Sequence, residues 1–106
     1  MHTVIFVTAS GKEEADKIAE NIIQNKLAAC VNIISNIESV FWWEGKIDRA
    51  QEVLLVIKSV ESKVGEIIAA VKSLHSYEVP EIIALPITAG FKPYLDWINE
   101  SIRKPI

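Results

Sequence analysis

Cysteine occurs once in the 106 residues, as Cys30, which leaves no internal disulfide and no cysteine-rich metal framework. That suits a reducing compartment. Arginine is almost as scarce, with only Arg49 and Arg103, and the formal net charge of -3 is spread over both signs. No basic patch is left to neutralise a phosphate backbone, so a nucleic-acid partner is not expected. The apolar runs fall far short of the roughly 18 residues a membrane span needs, and Met1-His2-Thr3 opens without a basic or cleavable leader. The expectation is a soluble, cytoplasmic chain with no membrane partner. There is no Gly-X-Ser-X-Gly elbow and no phosphate-binding glycine loop, so no acyl- or phosphoryl-transfer apparatus can be assembled and the chain reads as a non-enzyme. With a hydrophobic fraction of 50%, residues 1–106 are enough for a single domain.

What is present is a clear alternation of periodicities. Val4-Ile5-Phe6-Val7 is an uninterrupted apolar run, as expected of a strand buried on both faces. Ser10 with Glu13 has capping-box spacing, and Ala15, Ile18, Ala19, Ile22, Ile23 and Leu27 predict a helix over Lys12 to Lys26. A long, more polar strand from Ala29 to Glu44 follows, with Val31, Ile33, Ile37, Phe41 and Trp43 on one face if the pleat is unbroken; Ser35-Asn36 is the place where a bulge or turn would interrupt it. After the Glu44-Gly45-Lys46 turn, Ile47 to Ile57 returns as a strand that is apolar at every position from Val53. Val64, Ile67, Ile68, Val71 and Leu74 predict a second helix over Glu61 to His75, with Ser59 or Ser62 as its cap. Ile82-Ile83-Ala84-Leu85 with Pro86 reads as an edge strand, and Pro93 opens a short terminal helix carrying Tyr94, Leu95, Ile98 and Ile102.

The order strand, helix, strand, strand, helix, strand, helix predicts an α+β, ferredoxin-like split βαβ sandwich. Its antiparallel sheet should run 4-1-3-2, because the apolar first and third strands suit the centre and the other two suit edges. Both crossover helices then cover one face. The other face exceeds what the terminal helix can cover, and the second and third strands form a hairpin that overhangs the domain, so neighbouring subunits are the natural cover. Phe41, Trp42 and Trp43, crowded before the turn, read as interface anchors.

His75, Tyr77, Glu78 and Glu81 form the densest group of potentially functional side chains. His75 is open to two readings, a helix-ending residue favoured by the C-terminal dipole or a metal ligand. Cys30 is either a buried small hydrophobe or a ligand, and Lys58 either a solvated strand end or an anion contact in a subunit cleft.

Four ordered motifs carry a resemblance over essentially the whole chain. Lys26-Leu27-Ala28-Ala29-Cys30-Val31-Asn32, Trp43-Glu44-Gly45-Lys46-Ile47, His75-Ser76-Tyr77-Glu78-Val79-Pro80-Glu81-Ile82 and Tyr94-Leu95-Asp96-Trp97 together resemble the CutA divalent-cation-tolerance family. The resemblance implies a ferredoxin-like homotrimer with an intracellular role in tolerance of divalent metals, copper in particular. It also implies copper ligands at the end of the first strand and at two adjacent positions near the end of the second helix. Those positions are Val7, Leu74 and His75 here, leaving His75 as the metal residue. The family's His-Pro-Tyr is His75-Ser76-Tyr77 here. The metal is expected to bind weakly and not to be needed for folding. The motif positions place a binding cleft between subunits, lined by Cys30, Trp43, Lys58, Tyr77 and Glu81 beside His75. The alternative reading is a trimeric module akin to the PII proteins, holding a small anionic ligand in that cleft.

Overall fold

Residues 1–103 are described by a computed structural model. The elements are β1 (His2–Ala9), α1 (Lys12–Gln24), β2 (Cys30–Trp43), β3 (Lys46–Val60), a 3-10 turn (Glu61–Lys63), α2 (Val64–Leu74), β4 (Ile82–Pro86) and α3 (Lys92–Ile102). They form one antiparallel sheet in the order β2-β3-β1-β4, the predicted arrangement read from its other edge. The apolar strands β1 and β3 are the inner pair, and β2 and β4 each keep one edge unpaired within the chain.

Strand alternation assigns the two faces. Ile5, Val7 and Ala9 of β1 stand beside Ile57, Leu55 and Val53 of β3. All are buried against Ala15, Ile18 and Ile22 of α1 and Ile67 and Val71 of α2. Each of the valine, leucine and isoleucine side chains among them contributes about 1.5–3 kcal/mol on burial. On the opposite face, Val4, Phe6, Leu54 and Val56 are only half-buried, and Ile83 and Leu85 are exposed. α3 is the element packed there, against β3; its Ile98 and Ile102 are buried apart from the main core. Toward the end of β1, Tyr77 closes over Glu52 on this face.

Two local expectations are corrected, and a third point, left open at Ser35-Asn36, is decided. First, α1 ends two residues early. Lys26 adopts a left-handed conformation at φ 54, while its amide reaches the Ile23 carbonyl and the Leu27 amide reaches that of Ile22, which closes the helix with local bonds. Second, the serine caps do not form. Ser10 reaches Glu14 rather than the helix backbone, and Ser59 is fully buried and donates to the Leu27 carbonyl. Third, the pleat of β2 is broken. Ile34 stands opposite Leu54 but Ile37 opposite Glu52, so Ser35 and Asn36 together face Val53 alone, with Asn36 at φ 61. This bulge moves the odd positions to the other face. Val31 and Ile33 pack on the helix side, whereas Ile37, Ser39, Phe41 and Trp43 align with Glu52, Asp48 and the half-covered face.

The hairpin continues well beyond Ala9, where β1 ends against Val53, and this overhang gives the molecule its 48 × 27 × 22 Å extents. Three substitutions at two positions test these assignments. Ile57→Ala should lower unfolding stability by about 2–5 kcal/mol, as for a large core residue. Asn36→Val should cost about 1–2 kcal/mol because a β-branched residue resists the left-handed region, whereas Asn36→Gly should be tolerated. Urea denaturation of the three proteins measures both effects.

Candidate functional site

The strongest polar constellation lies where the overhang meets the end of β1. α2 stops at Leu74, and His75 leaves it in an extended conformation (φ -85, ψ 142), which carries its ring inward until the side chain has no exposed surface. Nε2 lies 2.7 Å from the Thr8 carbonyl, and Nδ1 accepts the Tyr77 amide at 3.0 Å. An amide can only donate, so these partners describe a neutral imidazole with its proton on Nε2. Glu14 Oε1 stands 3.1 Å from the same Nδ1. That contact becomes an ion pair only if Nδ1 gains a proton and the Tyr77 amide gives up its acceptor. His75 does stand at the C-cap of α2, with its ring fixed by Thr8 and Tyr77.

Glu14 has its own partners. It accepts from the Ser10 hydroxyl and from the Ser76 amide and hydroxyl, both at 2.8 Å. Burial pushes its carboxyl up, but these bonds, with positive charge on His75 when it is present, outweigh it and hold the group below its ordinary value. On the other side, the Tyr77 ring lies tilted 4.7 Å from His75, and its hydroxyl donates to Glu52 Oε2 at 2.9 Å. Burial, the bond to Glu52 and the nearby carboxylate charges push the phenol up to about 12. A continuous polar chain thus joins α1 to β3 across the end of β1.

Beyond Tyr77 opens a cavity of about 810 Å³. Thr8, Glu52 and Tyr77 stand at its base. The hairpin contributes Phe41, Trp43 and Asp48, and the loop before β4 contributes Glu78, Val79 and Glu81. The six residues expected in one cleft are therefore divided within a single chain. Trp43, Tyr77 and Glu81 line the cavity, with His75 sealed behind Tyr77. Cys30 and Lys58 pair across β2 and β3 beside Val4, toward the opposite end of the sheet. Cys30 is half-buried there, and burial followed by the nearby thiol raises the Tyr94 phenol. Among the described residues no three His, Cys, Asp or Glu side chains are grouped to hold a metal ion.

Glu14, Asp48, Glu52 and Thr8 were not singled out from sequence. For Glu52 the signal is its place as a charged residue directly before the all-apolar run Val53–Ile57. For Glu14 no comparable signal exists, because Glu13 has the better capping spacing.

Two pH predictions follow from these bonds. Glu14 is held below its unfolded value, so its contribution is present above that value and lost as pH falls through the folded one. Glu14→Gln should therefore flatten the acid limb of a thermal-midpoint profile below pH 4.5, the carboxyl's ordinary value. Tyr77 is shifted the other way, so its contribution is present below its unfolded value near 10 and lost as pH rises through about 12. Ultraviolet titration should show delayed phenol ionisation that moves to lower pH in Glu52→Gln; an unchanged curve would contradict the Tyr77–Glu52 bond.

Comparison with known proteins agrees with this architecture. The model of the CutA1 divalent ion tolerance protein family matches residues 3–101. The divalent-cation tolerance protein CutA of Archaeoglobus fulgidus is 48% identical over 97% of this chain and 100% of its own length. The chloroplastic protein CutA 1 of Oryza sativa is 50% identical, over 95% of this chain but only 57% of the longer rice protein. A solved structure of the periplasmic divalent cation tolerance protein CutA from Archaeoglobus fulgidus superposes with a TM-score of 0.94, covering 97% of this chain and 100% of that one. With the predicted sheet order, the overhanging hairpin and a match spanning nearly every described residue, the chain belongs to the CutA1 divalent ion tolerance family.

Proposed function

We propose that this protein serves divalent-cation tolerance as a cytoplasmic homotrimer that binds divalent metal, copper in particular, weakly and without catalysing a reaction. The observation that carries the assembly is the uncovered apolar surface. Ile34, Ile83 and Leu85 are 46%, 51% and 43% exposed on the half-covered face, and Trp42 and Trp43 are 74% and 61% exposed on the overhang. This surface adjoins two unpaired strand edges. Such an area favours burial against further copies of the chain.

His75 is the ligand we assign to copper. Both ring nitrogens are already engaged, so a metal must displace the Tyr77 amide or the Thr8 carbonyl, and that exchange keeps affinity low. One chain supplies no three-residue ligand group among its described residues, and a symmetric assembly offers a way to add ligands from other copies. Cys30, Lys58 and the cavity residues Trp43, Tyr77 and Glu81 remain the proposed cleft once subunits meet. The PII-like alternative with a small anionic ligand is less well supported, since carboxylates and no basic side chain line the cavity.

Light scattering should give about three times the 11.8 kDa chain mass; a stable monomer would refute the assembly. The Phe41→Ser, Trp43→Ser double variant should yield monomers or aggregates, because the lost apolar area is what holds copies together. Calorimetric titration with copper and zinc should show weak copper binding that disappears in His75→Ala. Unchanged copper binding in that variant would remove His75 from the site. Cell fractionation tests the cytoplasmic assignment.

A further inference from the structure

The segment that follows α2 is hydrogen-bonded through side chains alone. Among the described residues, 76–80 make no backbone–backbone hydrogen bond; the Ser76 amide goes to Glu14 and the Tyr77 amide to the His75 ring. Val79 is 87% exposed, so the segment buries little apolar surface beyond the Tyr77 ring. Few buried apolar contacts and exposed polar bonds are the marks of a part that opens before the rest of the fold.

Glu14 carries most of the fastening. Its Oε1 accepts the Ser76 amide and its Oε2 the Ser76 hydroxyl, both at 2.8 Å, while the Ser10 hydroxyl holds the carboxylate from the other side. Bonds to a charged acceptor are the strong ones, so this one side chain sets how firmly the segment sits. The family has proline where this chain has Ser76. His75, at φ -85 and ψ 142, already has the extended backbone that a following proline demands. The path is thus one that proline would fix covalently, whereas here it is held by bonds that can be released.

Beneath the segment lies the His75 ring, with no exposed side-chain surface and with Nδ1 occupied by the Tyr77 amide. Glu14 belongs to α1, on the helix-covered face of the sheet, whereas Phe41 and Trp43 stand on the other face. The fastening is therefore separate from the surface assigned to contacts between copies.

We propose that residues 76–80 form a releasable strap over His75, pinned by Glu14, whose opening exposes the ring while the sheet stays folded. The strap supplies the displacement of the Tyr77 amide that copper at His75 requires, but it does not rest on copper binding, and its test is free of metal.

Amide-resolved hydrogen exchange of the full-length protein, with molecular mass measured in parallel, provides that test. The Tyr77 amide should be protected about tenfold or more less than the amides of β1 and β3. Exchange of Tyr77 only together with those strands overturns the proposal. Glu14→Ala should speed Tyr77 exchange by a further factor of about ten, although that amide is bonded to His75 and not to Glu14. The same variant should raise modification of His75 by diethylpyrocarbonate about tenfold, with His2, the only other histidine, unchanged as the internal control. Adding Ser76→Pro to Glu14→Ala should return both rates toward those of the parent protein, because the proline ring restores the restriction that the carboxylate supplied. Faster exchange confined to the Ser76 amide, with His75 reactivity unchanged, overturns the proposal, and rates left high in the double variant refute Ser76 as the point at which Glu14 holds the strap.

Discussion

The two-for-one bulge in β2 is the constraint on which the rest of this structure depends. Up to Ile34 the strand obeys the sheet, with Val31 and Ile33 turned into the helix-covered core. Past Asn36 the same strand has lost its register by one residue, and Phe41 and Trp43 stand beside Asp48 and Glu52. Side chains alternate with a period of two, so one unpaired residue is enough to exchange the faces of everything that follows. Without it, Phe41 and Trp43 would face away from Glu52.

The second organising feature is the buried histidine. His75 joins the end of α2 to the end of β1 through Thr8, sets the path of the following loop through the Tyr77 amide, and brings Tyr77 over Glu52. Glu14 and the two serines secure the same junction from α1. The loop that follows borders the cavity, so its shape is set by buried hydrogen bonds as well as by its own residues. The Tyr77 amide bonded to Nδ1 and the Thr8 carbonyl near Nε2 fix ring and loop together.

These features also relate the fold to its uncovered surfaces. The helices complete one face of the sheet, but α3 leaves Ile34, Ile83 and Leu85 exposed on the other. The overhang adds Trp42 and Trp43 beyond the end of β1. Polar recognition and apolar surface meet at the base of the hairpin, where Tyr77, Glu52 and Phe41 share one cavity.

The element order, the inner position of the two apolar strands and the edge position of the proline-bearing strand were legible in the sequence, because each rests on local periodicity and backbone chemistry. His75, Tyr77 and Glu81 were legible as a cluster for the same reason, being close along the chain. Ser35-Asn36 was legible as a place where the pleat could break, but which way the strand would continue and what Ser10 would bond to were not, because each depends on registers and distances between elements far apart in sequence. By itself the sequence determined which segments become strands and helices and that an apolar hairpin would be left over. Only the tertiary structure decided that Asn36 exchanges the faces of that hairpin, that Glu52 meets Tyr77, and that Cys30 and Lys58 lie toward the other end of the sheet. Strand pairing and burial are cooperative, long-range choices, and a residue's neighbours in space are fixed only when the whole sheet has closed.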